Sequence, residues 1–177
     1  MNDDVMIAIL GNVFLAVQNR LATLPELKFI DQDLGQLEID EQGERESPVA
    51  FPCALTDFLE LRYTDNSKNQ QQGEGVLEVR IALLAYTAAT HYYKDTHKLK
   101  ALGFWNLEHR VNKVLHGWSD DRYFNPLSRI SSSTERRKDN IRVRVIRYNF
   151  GFVDNTAIPV PAQTVPRPDL ETSTEAA

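Results

Sequence analysis

The chain has 177 residues, 42% hydrophobic and 25% charged, with a net charge of −5, a composition that suits one domain with a real core. No run approaches the roughly 18 apolar residues that span a bilayer. Two acids stand in "MNDDVMIAIL" where an export signal needs positive charge, so a protein soluble and intracellular at synthesis is expected. A single cysteine, Cys53, excludes an internal disulfide and any cysteine-based metal cluster.

Taken in chain order, residues 3–24 read as a helix. Met6, Ile9, Leu10, Val13, Phe14, Val17 and Leu21 make one apolar stripe at helical spacing. Asn2, Asp3 or Asp4 can cap it, and Pro25 stops it. Leu27–Ile39 reads as one or two short strands around Gly35, and Val49–Thr64 as an extended segment with Pro52 at a strand start or an edge. Asp65–Gly75, with no apolar residue, reads as a mobile polar loop of 11 residues. Val76–Ala88 alternates clearly, with Leu77, Val79, Ile81 and Leu83 on one side, and pairs with the strand before the loop as a long antiparallel hairpin.

A second helix is expected over 95–116, closed by Gly117 at the left-handed position after its end. The connector "HGWSDDRYFNPLSRISSS" follows. In it Trp118 should pack back, Tyr123 and Phe124 anchor, and Leu127–Ser131 run as a short edge strand with Arg129 facing outward. Ile141–Asp154 is a strand whose Ile141, Val143 and Val145 face one way and whose Arg142 and Arg144 face the other. Its pattern slips near Ile146, which suggests a bulge or a twist. From Asn155 the chain holds four prolines and no periodicity. The whole is α+β: a mainly antiparallel sheet with a long hairpin, covered on one face by two helices, as a single domain over 1–154 with a Pro-rich extended or disordered arm over 155–177.

Charge is unevenly spread along this chain. Residues 1–74 hold five Lys/Arg against fourteen Asp/Glu, residues 75–153 fourteen against seven, and residues 154–177 one against four. The plain reading is that the fold mixes the two halves. The sharper one is a molecule with an acidic and a basic side that stacks on copies of itself. The expected contact set is Arg129, Arg136, Arg137, Arg142, Arg144 and Arg147 on one side and Asp31, Asp33 and Glu44 on the other. Catalytic chemistry is not in evidence. His109 and His116 lie too far apart to share a metal, His91 and His97 merely flank "YYKDT", and no phosphate loop or nucleophile elbow occurs. Cys53 reads as a buried small hydrophobe. No enzyme, metal or cofactor is expected. Alternatives from other classes are a nucleic-acid-binding adaptor using the basic strand 136–147, against which the acidic balance stands, and a small enzyme without a recognisable motif.

An N-terminal amphipathic helix, "FPCALTDF", "LEVRIALLAY", a helix ending "LEHRVNKVLHGW", then "FNPLSRIS" and "IRVRVIRYNFGF", together resemble the tail terminator (tail completion, neck) proteins of tailed bacteriophages over roughly residues 3–153. The resemblance implies a virion protein made in the host bacterial cytoplasm. It implies a hexameric ring that caps the tail tube and joins it to the head–tail connector. Partners would be its own copies, the tube protein, a sheath protein where the tail has one, and the connector. DNA would only pass through the lumen, and no membrane is involved. The hairpin and the C-terminal arm would reach neighbours.

Overall fold

The computed structural model describes residues 8–39, 48–84 and 90–159, excepting the Lys100 side chain. In chain order the elements are α1 (Ile9–Leu21), β1 (Phe29–Gln32), β2 (Cys53–Ser67), β3 (Gln70–Leu84), α2 (Asp95–Leu115), β4 (Ser128–Glu135) and β5 (Ile141–Asp154). The strands form one sheet in the order β1-β2-β3-β5-β4, antiparallel except for the β1–β2 pair. The fold is the expected α+β. The proposed helix caps Asn2, Asp3 and Asp4, Glu44, the expected strand end at 85–88 and residues 160–177 of the arm lie outside the described residues.

One face of the sheet meets both helices. Val13, Val17 and Leu21 of α1 and Leu107, Val111 and Leu115 of α2 close on Leu77, Val79 and Ile81 of β3 and Ile146, Tyr148, Phe150 and Phe152 of β5. Burial of each such side chain contributes about 1.5–3 kcal/mol. The helix α1 ends at Leu21 rather than at residue 24, because Pro25 has no N–H to offer the Leu21 carbonyl. Gly117 takes the expected left-handed conformation (φ 76°), and the Trp118 N–H donates back to the Leu115 carbonyl (3.1 Å).

The other face is also covered at one end. Leu37, Cys53, Leu55, Ala82, Ile141, Val143 and Val145 form a second, smaller core, against which Phe29, Val49 and Phe51 pack. Cys53 is fully buried there, as expected. This second core corrects the expected phase of β5. Val143 and Val145 point away from the helices, whereas Arg142 and Arg144 point toward α2. The slip near Ile146 is not a bulge: β5 pairs with β3 in unbroken register from Ile141 to Asp154. Both faces of β5 are buried near its start, which is why its apolar residues stop alternating.

Between Leu27 and Ile39, where one or two short strands were expected, one forms, β1, followed by a turn in which Gly35 is left-handed (φ 85°). One further expectation changes. The 11-residue polar loop does not exist as a loop. The strands run through it, leaving a two-residue turn at Lys68 and Asn69, and Gln71 pairs with Asp154 on β5. Backbone ladder bonds need no apolar side chain, and the missing packing comes from across the ladder. The Phe152 ring lies over Gly73, and the Phe150 ring and Leu61 close over Gly75, so each glycine gives an aromatic room. Gly75 stands opposite a bulge, where Glu60 and Leu61 together face this one residue, so β2 gains one residue, and Glu60 takes φ 48°.

Candidate assembly surface

The connector from His116 to Leu127 is held shut by its own backbone. The Gly117 N–H donates to the Leu127 carbonyl (2.8 Å), the Leu127 N–H to Trp118 (2.9 Å), and both Tyr123 and Phe124 to Asp120 (2.8 Å each). Phe124 is buried and meets Trp118 edge to face at 5.1 Å. Asn125 ties the segment to Gly151 of β5 (2.8 Å). The connector is therefore a rigid ledge. From it β4 runs out as an edge strand, longer than the expected Leu127–Ser131, with seven of its eight residues exposed. The bulge sought in β5 is here, between Arg129 and Ser131, with Ile130 as the extra residue.

Two charged clusters fasten this edge to the body. On the helix side, Arg144 is buried and gives a two-pronged pair to Glu108 of α2 (Nε to Oε2 2.7 Å, an η nitrogen to Oε1 3.1 Å). The same guanidinium donates to Ser132 (2.5 Å) and Thr134 (2.7 Å) of β4 and lies 4.8 Å from the centre of the Trp105 ring. Burial pushes the Glu108 carboxyl up, but the hydrogen bonds from Arg144 and Ser132 outweigh it and hold the group below its ordinary value. On the opposite face, Arg80 bridges Asp33 (2.8 Å) and Glu135 (2.7 Å), and Arg137 pairs with Asp139 (2.9 Å) and Glu135 (2.6 Å) and donates to the Leu37 carbonyl. Burial acts to raise Glu135, yet its bonds from Arg137 and Arg80 bring it below the usual carboxylate range.

These clusters decide the fate of the predicted contact residues. Arg137 and Arg144 are sequestered inside the subunit. Arg147 pairs with Glu78 (2.7 Å), and Asp33 is taken by Arg80. Arg142, expected to face outward, is half-buried with its guanidinium 4.6 Å from the Phe104 ring. Asp31 accepts the Gln32 N–H (2.8 Å). Arg129 and Arg136 are exposed. Three early acids are thus paired within the chain with cations of the later part: Asp33 with Arg80, Glu38 with Arg80 and Arg137, and Glu26 with Arg110. The nucleic-acid alternative loses three of the cations it needed, Arg137, Arg144 and Arg147.

What the sequence reading missed is apolar. Leu99, Leu102 and Trp105 are exposed along the outer side of α2, and Ile130 is half-exposed on the β4 bulge. Spacing of three along α2 was the available signal, hidden because Leu107, Val111 and Leu115 account for the helix by themselves. Among the described residues no three His, Cys, Asp or Glu stand together as a metal site, and no helix is long and apolar enough to cross a membrane.

No family model matches the chain, and no curated protein matches it. Among solved structures, it is similar to a chain from the virion of a native gene transfer agent (GTA) particle. That similarity covers 83% of this chain and 92% of the other, at 13% identity and a TM-score of 0.43. At this level the likeness carries no argument about role, so the family resemblance rests on the sequence motifs.

Proposed function

We propose that this protein is a structural component of a phage-like virion, a tail-end ring subunit that closes with its own copies and joins a tube to the connector above it. The observation that carries this reading is β4. It is an eight-residue edge strand, exposed almost throughout, yet fixed in place by Arg144 behind it and Arg80 at its end. Edge strands of stable monomers are normally short, covered or broken by Lys and Pro, because a bare ladder edge recruits other chains. β4 has a bulge at Ile130 and a charge toward each end, Arg129 and Glu135, but the run Ser131-Ser132-Ser133-Thr134 between them holds neither Lys nor Pro. A rigid, exposed, weakly polar edge suits a permanent neighbour, and β4 lies in the segment that bears the family resemblance. Its partners would be neighbouring copies, the tube protein and the connector.

Native mass measurement and particle imaging of the purified chain test this. Closed rings, hexamers by the family resemblance, are expected, with β4 amides protected from hydrogen exchange in the ring. A chain that stays monomeric at high concentration, or one retained on DNA with steep salt dependence, overturns it.

A further inference from the structure

Between the outward side of α1 and the connector lies a solvent-open hollow of about 460 Å³. Two guanidiniums stand in it, each laid on a ring. Arg20 gives its Nε to the Val114 carbonyl (2.9 Å) and lies 5.3 Å from the centre of the Trp118 ring. Arg122 holds Asp120 through its Nε (3.1 Å) and one η nitrogen (3.0 Å) and lies 5.0 Å from the centre of the Tyr123 ring. A planar cation backed by a ring is fixed before any ligand arrives. Neither η nitrogen of Arg20, and only one of Arg122, has a hydrogen-bond partner among the described residues. Asp120 is the one carboxylate in the lining and Arg122 already holds it, so Arg20 leaves the hollow with a positive charge over. Leu15, 38% exposed, and Ala16 supply an apolar wall. Forked donors of this kind pair with carboxylates. The hollow therefore suits an acidic segment that also carries an apolar side chain.

This chain holds such a segment. Residues 160–177 carry three acids, Asp169, Glu171 and Glu175, against one cation, Arg167, and two of the acids flank Leu170. The described chain ends close to the hollow. The Asn125 N–H of the connector bonds the Gly151 carbonyl (2.8 Å), and Gly151 stands three residues before the end of β5, roughly 10 Å at about 3.3 Å per residue. From residue 159 to Asp169 is a run of ten residues with three prolines, which spans up to about 31 Å at the polyproline rise of roughly 3.1 Å per residue. We infer that the connector hollow is a carboxylate-recognising docking site, and that its occupant is the Asp169-Leu170-Glu171 step of the same chain's arm. The acids meet Arg20 and the spare nitrogen of Arg122, and Leu170 meets the wall at Leu15. A tether this short favours the chain's own arm over a neighbour's, because it holds the ligand at an effective concentration on the order of millimolar. The contact is at the surface, so it orders the arm while adding little to the stability of the fold. It does not depend on the ring reading.

The test uses the full chain with Thr172→Cys carrying a nitroxide spin label; Cys53 is fully buried, so the new thiol is the one that reacts. In NMR spectra the label should broaden the amides of Asn19, Arg20, Asp120 and Tyr123 and spare those of Leu99 and Trp105 on the outer side of α2. Neutralising the arm (Asp169→Asn with Glu171→Gln) or the hollow (Arg20→Gln with Arg122→Gln) should lower the docked-to-free ratio by about threefold or more, the worth of two exposed ion pairs. Arg20 and Arg122 are exposed, so these variants stay folded. Broadening that is absent, or that falls on α2 instead, overturns the site. Broadening undiminished in either neutralised variant overturns carboxylate recognition. Isotope-labelled chains mixed with spin-labelled ones identify the source: broadening carried from one chain to another overturns the assignment to the same chain's arm. Broadening that appears only once Asp3→Asn and Asp4→Asn are introduced puts the N-terminal acids in the hollow and overturns the arm as occupant. The ring reading stands or falls separately, on the mass of the particle.

Discussion

Replacing Arg144 by Met isolates what the buried pair contributes. Arg144 and Glu108 each expose only 10% of their side chains, and the guanidinium makes two bonds to the carboxylate and two to β4 hydroxyls. Removing one partner of such a pair leaves an uncompensated buried charge, at a cost of about 3–5 kcal/mol at neutral pH. With a urea slope of about 2 kcal/mol per molar, the unfolding midpoint should fall by roughly 2 M. The pH dependence has a definite sign. In the wild type the Glu108 carboxyl is held low, so its contribution is present above the ordinary carboxylate value of 4.5 and is lost as pH falls through the depressed native value. In the variant the main counter-charge is gone and burial dominates, so the carboxyl rises. The variant's penalty is then full near pH 7 and shrinks as pH falls through the raised value. The two stability curves should converge on acidification. The double variant Glu108→Leu/Arg144→Met should recover most of the loss. A loss below about 1 kcal/mol at pH 7, the range of exposed pairs, or curves that stay parallel in pH, would refute the reasoning.

Three other outcomes are expected. Arg80→Met leaves Asp33 and Glu135 facing each other without their bridge and should cost about 3 kcal/mol in chemical denaturation; the Glu135 carboxyl, now held low chiefly against burial, should rise in an NMR titration. Gly73→Ala places a Cβ 2.6 Å from Phe152 Cε1 and must push the ring from its edge-on contact with Tyr63. That strain of about 1–3 kcal/mol should appear as a melting point lower by about 3–10 °C. Removing residues 160–177 keeps every ladder pair and the Gln70–Asn155 bond (2.8 Å), so the melting point should stay within about 2 °C in calorimetry; loss of the cooperative transition would show the arm to be part of the core.

The helices, the long hairpin, the edge strand after the connector and the bounds of β5 were legible because each has a local cause: a 3.6-residue stripe, a two-residue alternation, or Gly117 after a helix. What misled was anything set by a partner across the fold. Residues 65–75 lack apolar side chains, so their strand character is visible only once Phe150 and Phe152 are known to lie over Gly73 and Gly75. The phase of β5 could not be read because a second core buries Val143 and Val145 on the face opposite the helices. Alternation then assigned Arg142 and Arg144 to solvent, when Glu108 and Phe104 of α2 were waiting for them. The internal partners of Asp33, Arg137, Arg144 and Arg147 were hidden for the same reason, since runs of charge say nothing of which opposite charges the fold brings together.

Those internal pairs bear on the kind of assembly proposed above. Subunits matched by opposite charge dissociate as salt rises, because exposed charges more than about 8–10 Å apart are screened. Here Arg80, Arg137, Arg144 and Arg147 meet their carboxylates inside the subunit, and the net charge left over is small and of one sign. In the ring proposed above, copies would then be held chiefly by shape, along the exposed edge of β4. Contacts of that kind are short-ranged and tolerate salt, and their register is fixed by a rigid frame rather than by a field. The internal ion pairs supply that frame. Arg144 holds β4 against α2, and Arg80 with Arg137 locks its far end to the turn after β1. On this argument, raising salt from 50 to 500 mM should leave the self-association proposed above nearly unchanged, measured by sedimentation. A loss of a hundredfold or more, on the order expected of a charge-matched interface, would return the interface to electrostatics.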